Sequence, residues 1–128
     1  MKTKHGPIMA AAIFTFSLCT QAQAQYVRLA ELEIDPAQLD AFKAAVTEGV
    51  EAAVRSEPGV LALYAVSEKE APNRIRVFEM YTDAAAYATH LETPHFKKFR
   101  ATTEKIVVSR KLLDAVPVVL GAKRPGAN

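Results

Sequence analysis

From Tyr26 to Ile34 the chain alternates: Ala30, Leu32 and Ile34 are apolar, and Glu31 and Glu33 stand between them. A period of two belongs to a strand with one buried face. Asp35-Pro36 ends it and opens a helix, with Asp35 as cap, Pro36 in the first turn and Gln38 where a capping box wants its amide. Leu39, Phe42, Val46, Val50 and Ala53 then recur on one helical face. The helix is predicted to reach about Ser56, where Glu57-Pro58-Gly59 breaks it. Val60–Ser67 and Arg74–Tyr81 read as an antiparallel hairpin around a polar turn. Thr82-Asp83 opens a second helix over Ala84–Leu91, and Thr93-Pro94 is a fresh cap at which the helix breaks and restarts. The restarted helix carries Phe96, Phe99, Thr103, Ile106 and Val107 toward a core. Arg110–Leu120 is predicted as the last strand, with Pro117 favouring an edge or a bulge, and 122–128 as a flexible polar tail.

The order is β-α-β-β-α-β, an α+β chain of the ferredoxin-like, split βαβ kind. Its helices cover one face of a four-stranded antiparallel sheet. The other face poses a problem, because strands two and three are apolar in both phases: Val60, Ala62, Tyr64 and Val66 alternate with Leu61, Leu63 and Ala65. A sheet apolar on both faces needs cover on both. A second copy packed sheet to sheet is the economical cover, so a homodimer is expected.

The head of the chain changes the accounting. Lys2 and Lys4 precede the uncharged, largely apolar stretch Ile8–Leu18, and Ala22-Gln23-Ala24 follows. That order is expected of a secretory signal peptide over 1–24, cleaved after Ala24. The apolar stretch is about half of the ~20 residues that span a bilayer, so no retained anchor is expected. Export to the periplasm or beyond would leave one domain over 25–121. Cys19, the one cysteine, departs with the signal, so the fold must rest on its hydrophobic core rather than on disulfides. Loss of Lys2 and Lys4 leaves 14 basic against 14 acidic residues. A neutral chain of mixed charge gives no reason to expect a nucleic-acid partner.

Several short segments recur as a set: Glu57-Pro58-Gly59-Val60-Leu61, then Phe78-Glu79-Met80-Tyr81-Thr82-Asp83, then Ala85-Ala86, then His90-Leu91-Glu92-Thr93-Pro94-His95-Phe96. In this order they resemble the antibiotic biosynthesis monooxygenase family, including its quinol monooxygenase-like members, over roughly Tyr26–Val116. The resemblance implies a dimeric α+β barrel in which each subunit encloses a pocket between helices and sheet. For characterised members it also implies oxygenation of phenolic or quinol substrates by O2, with neither metal nor flavin.

The residues themselves offer candidates for that chemistry. His90 and His95 are the two histidines left after residue 24, and both lie at the helix break. An imidazole can accept a proton near neutral pH. Taking one from a phenol or quinol gives an electron-rich anion able to reduce O2, so either histidine is a candidate base. Tyr64 and Tyr81 are candidates to orient the substrate's oxygens, and Phe78, Phe96 and Phe99 to wall an aromatic ring. Glu79, between Phe78 and Met80, needs a partner if buried; an ion pair with Arg76 or Arg100 competes with a catalytic role. Each aromatic residue and each histidine also has a structural reading, as core packing or as a bond to a backbone carbonyl. No metal or other cofactor is expected: His90 and His95 are separated by Pro94 and do not share a helix face, and Glu79 or Glu92 would have to complete a site. No phosphate loop and no nucleophile elbow occurs. Two rival readings stand beside the oxygenase: a non-enzymatic dimeric barrel that binds a small aromatic or apolar molecule, and a haem-binding or haem-degrading relative. The second resembles a sister branch that needs a tryptophan and a strand-one asparagine, whereas this chain has no tryptophan and Arg28-Leu29-Ala30 on strand one.

Overall fold

A computed structural model describes residues 24–125, together with Lys2. The expected signal segment and Cys19 therefore lie outside the described residues, apart from Lys2 and Ala24, as do residues 126–128. Strand β1 spans Tyr26–Ile34, helix α1 Leu39–Ser56, β2 Val60–Ser67 and β3 Arg74–Tyr81. Helix α2 spans Ala84–Glu92, α3 Pro94–Thr103 and β4 Val107–Ala115. The sheet order is β2-β3-β1-β4 with every neighbouring pair antiparallel, the ferredoxin-like arrangement. No helix among the described residues is long and apolar enough to cross a membrane.

Local chemistry accounts for most boundaries. Asp35 accepts from the Ala37 N–H at 3.0 Å, and Pro36–Gln38 form one 3-10 turn before α1. The capping box does not form: the Gln38 side chain makes no capping bond, and the Asp35 N–H is already bonded to the Ile106 carbonyl at 2.9 Å. Asp83 caps α2 through the Ala86 N–H at 2.8 Å, and Thr93 caps α3 through the Phe96 N–H at 3.3 Å. Pro94 occupies the first turn of α3, where its missing N–H costs nothing.

The last strand differs from expectation. Helix α3 stops at Thr103, Ile106 turns into the core through its N–H to the Thr103 carbonyl, and Val107 opens β4. At the other end β4 stops at Ala115, which pairs with Val27. Beyond that point β1 has almost no chain left to pair with, so the apolar stretch to Leu120 does not continue the ladder.

Register decides which side chains meet the helices. Tyr26, Arg28, Ala30 and Leu32 of β1 stand opposite Tyr81, Glu79, Val77 and Ile75 of β3. This phase faces α1–α3. One core cluster gathers Ile34, Phe42, Ile75, Val77 and Ile106 with Ala30 and Leu32. Full burial of Phe42 alone contributes ~1.5–3 kcal/mol. A second cluster joins Ala53, Leu63 and Tyr81. A register shift between Val60 and Ala62 leaves Leu61 unpaired, and beyond it Leu63 and Ala65 point inward.

The opposite phase forms the outer face. Tyr64 and Val66 are each 60% exposed, Leu29 is half-exposed, and the Tyr64 ring stacks on Phe78 at 6.3 Å. The expected apolar second face is thus present in the single chain.

Candidate functional site

A cavity of about 160 Å³ lies between the inner sheet face and the helices. Ala30, Leu32 and Val77 come from the sheet, and Val46, Val50, Phe96 and Phe99 from α1 and α3. An apolar cavity of ~150 Å³ suffices to hold one benzene ring, so this one is sized for a single aromatic ring. His90 and His95 form part of its wall.

Three elements bring the histidines together. His90 lies in the last turn of α2, His95 in the first turn of α3, and Thr93-Pro94 between them turns the chain. Glu57, the residue that stops α1, lies opposite. Its Oε2 is 2.8 Å from His90 Nδ1 and 2.6 Å from His95 Nε2. The side chains are 10%, 8% and 20% exposed for Glu57, His90 and His95. A carboxylate has only acceptors, so both rings donate to it. That assigns the tautomers: His90 keeps its lone pair on Nε2 and His95 on Nδ1. Phe96 and Tyr81 pack on the His90 ring at 4.9 and 5.5 Å.

Glu57 is the functional residue that sequence reasoning missed; it read there as a helix stop and as part of the Glu57-Pro58-Gly59 segment of the family resemblance, not as a site residue. The same three residues are the group of possible metal donors among the described residues, their atoms all within 4.8 Å. Ligand atoms on a tetrahedral ion with bonds of ~2.0–2.1 Å stand roughly 3.3 Å apart. Both O···N separations are shorter, as hydrogen bonds are, so an ion would have to spread the cluster. Of the carboxylates considered from sequence, Glu92 pairs instead with Lys97 at 2.8 Å, and Glu79 lies elsewhere in the wall.

A second polar group occupies the β1 side. Arg28 hydrogen-bonds the Tyr87 hydroxyl, lies 4.7 Å from that ring's centre, and approaches Asp114 of β4 at 3.3 Å. Glu79 stands opposite Arg28 in the β1–β3 register. The ion pair expected for Glu79 with Arg76 or Arg100 does not form. Arg76 projects to the outer face and pairs with Glu68 at 2.6 Å, and Arg100 makes no ion pair among the described residues.

Burial pushes the Glu79 carboxyl above its ordinary value, and Arg28 offsets only part of this. The folded chain therefore binds this proton more tightly than the unfolded chain. The sign follows: stability is greatest below the ordinary carboxylate range and is lost as pH rises through the raised folded value. Glu79→Gln is expected to remove that loss. Its urea midpoint should exceed the parent's at pH 8 by more than at pH 4.5; an advantage that does not grow with pH contradicts this.

Of the side chains singled out from sequence, His90, His95, Glu79, Phe96 and Phe99 line the cavity. Three do not. Tyr64 and Phe78 belong to the outer phase of the sheet, so their rings point away from the helices. Tyr81 is inward but wholly enclosed by Tyr26, Tyr87 and His90, and its hydroxyl has no hydrogen-bond partner. Burial first, and then the Glu79 charge, drive that phenol well above its ordinary range, so it stays protonated.

Comparison with known proteins agrees with this architecture. A profile of the family described as antibiotic biosynthesis monooxygenase matches residues 25–102. A solved structure from Bacteriodes thetaiotaomicron VPI-5482, described as a candidate antibiotic biosynthesis monooxygenase, is 45% identical with a TM-score of 0.76. The alignment covers 81% of this chain and 99% of that one. One from Nitrosomonas europaea, described in the same terms, is 25% identical with a TM-score of 0.70, covering 75% and 92%. A candidate monooxygenase from Lactobacillus acidophilus NCFM is 29% identical with a TM-score of 0.68, covering 71% of this chain and 45% of that one. No curated protein matches.

Proposed function

The chain belongs to the antibiotic biosynthesis monooxygenase family, and from that premise we propose that it oxidises a small phenolic or quinol-type aromatic with O2, without metal or flavin. The observation that carries this reading is a ring-sized cavity, apolar over most of its wall, with a carboxylate-oriented imidazole in that wall. His90 Nε2 takes the phenolic proton while Glu57 holds the Nδ1–H and steadies the imidazolium. The phenolate passes one electron to O2, and the resulting radical and superoxide combine at a ring carbon bearing hydrogen. Loss of water from that hydroperoxide leaves a quinone, so phenol and O2 give quinone and H2O. Phe96 and Phe99 hold the ring and keep bulk water from the anion.

The reading is tested with an oxygen electrode on the purified, chelator-treated chain and a panel of one-ring phenols and quinols. Saturable O2 uptake is expected, and His90→Gln should lower kcat by ~10²–10⁴ while KM moves little. Binding without O2 uptake for every compound overturns it in favour of a non-enzymatic carrier. The absence of tryptophan from the sequence and Arg28-Leu29-Ala30 on strand one argue against the haem reading.

Two further parts of the reading rest on sequence and surface. The pattern of residues 1–24 supports export. The apolar outer face supports a sheet-to-sheet homodimer. Sedimentation should give twice the chain mass for the parent and a monomer for Tyr64→Asp; a parent sedimenting as a monomer would exclude the dimer.

A further inference from the structure

The cavity's charged residues are unbalanced. Arg28, Arg100 and Arg110 line it, and Glu79 is the one acidic residue in its wall. Arg100 and Arg110 make no ion pair among the described residues. Arg28 is the inner of the three, with a side chain only 13% exposed and an Nε that lies 3.3 Å from Asp114 Oδ1 without the alignment of a hydrogen bond. Its nearest counter-charge, Asp114, is 74% exposed, so water screens that attraction. A largely buried guanidinium whose Nε lacks an aligned acceptor can take a further anion, because its planar fork is suited to two oxygens at once.

We propose that the ligand of this cavity is an aromatic carboxylate, a single ring bearing one carboxyl group, whose oxygens accept from Arg28 and which Arg100 and Arg110 draw in. This rests on the reading of the cavity as a one-ring site and extends it to the substrate's charge. The Tyr87 hydroxyl, already on Arg28, holds the guanidinium in place. Burial makes Glu79 hold its proton more tightly than an ordinary carboxyl, and in the protonated form it can donate a hydrogen bond to a bound carboxylate. The ring's hydroxyl is then free to meet the imidazoles, so one molecule satisfies both ends of the cavity.

Calorimetry on the purified chain separates this from the oxygenase reading, because it reads affinity and not turnover. The probes are 2,5-dihydroxybenzoate and 2,5-dihydroxybenzamide, which match in shape and differ in charge and in one acceptor oxygen replaced by a donor NH2, titrated anaerobically. The carboxylate is expected to bind at least tenfold more tightly. In Arg28→Gln, with the parent's circular dichroism, the preference should fall to twofold or less; Arg110→Gln, at the exposed rim, should lower it by a smaller factor. Equal affinities in the parent, no binding of the carboxylate, or a preference that survives in Arg28→Gln each overturn the proposal. Should Arg28→Gln misfold, a preference unchanged in both Arg110→Gln and Arg100→Gln overturns it. Tight carboxylate binding with no O2 uptake leaves this inference standing and removes the oxygenase.

Discussion

Glu57→Ala is expected to abolish most activity and to unfold the chain at markedly lower urea. One oxygen of this side chain accepts from two buried rings, so its loss strands two N–H donors at once. Each unsatisfied buried donor costs ~1–3 kcal/mol, so two cost at most about 2–6 kcal/mol, with the smaller share at His95, which is 20% exposed. The rings also lose what fixes their tautomers, and kcat should fall by ~10²–10⁴, as when the orienting carboxylate of a catalytic triad is neutralised. Glu57→Gln separates the two effects. Its amide oxygen, standing where Oε2 does, can still accept from both rings, but a neutral acceptor binds them less strongly than a carboxylate. Urea midpoints should therefore rank Glu above Gln above Ala. A Gln variant as unstable as the Ala variant would mean that the two bonds to this oxygen do not carry the loss.

The second large effect is expected at Gly59, two residues on. A Cβ built there lies 2.5 Å from the Ala86 Cβ, with Thr82 Oγ1 at 3.4 Å and Ala86 Cα at 3.5 Å. Bonded carbon aside, no pair of carbons tolerates 2.5 Å, and the Ala86 methyl has no rotamer with which to retreat. Gly59→Ala must therefore push β2 and α2 apart, at ~1–3 kcal/mol. Helix α2 carries His90 in its last turn, so the strain reaches the Glu57 contact and should lower kcat as well as stability. Ala86→Gly removes the opposing methyl. The double variant should recover most of the kcat loss and part of the stability, since glycine inside a helix itself costs ~1 kcal/mol. A double variant no better than the sum of the singles would place the damage elsewhere.

Strands β2 and β3 were legible to the residue, because apolar runs bounded by Pro-Gly, a polar turn and Thr-Asp leave few alternatives. The break and restart at Thr93-Pro94 was legible for a local reason too, a cap and a proline acting on neighbouring backbone. The end of β4 was not. Val116–Leu120 is as apolar as a strand, and only the length of β1 says that pairing has run out. The site was partly legible for the same kind of reason. Since β2 and β3 are apolar in both phases, composition does not reveal which phase faces the helices. Tyr64 and Phe78 therefore looked as suitable for a cavity wall as Leu63 and Val77, and the register separates them. Glu57 and Arg28 escaped notice because their partners lie far along the chain, His90 at 33 positions and Tyr87 at 59. No periodicity carries that information.

The joint at Pro94 makes this site sensitive to length more than to composition. Each residue added to a helix turns everything after it by ~100°. His90 and His95 meet on one carboxylate oxygen only because five steps of chain, with the turn at Thr93-Pro94, bring them to the same point. One residue gained or lost between them would swing His95 out of reach while leaving both helices intact. The hairpin turn at 68–73 carries no such constraint, since it lies at the far end of β3 from Tyr81 and the His90 ring. Relatives that keep the chemistry should thus vary freely in loop size at that turn and hold the spacing between the two histidines constant.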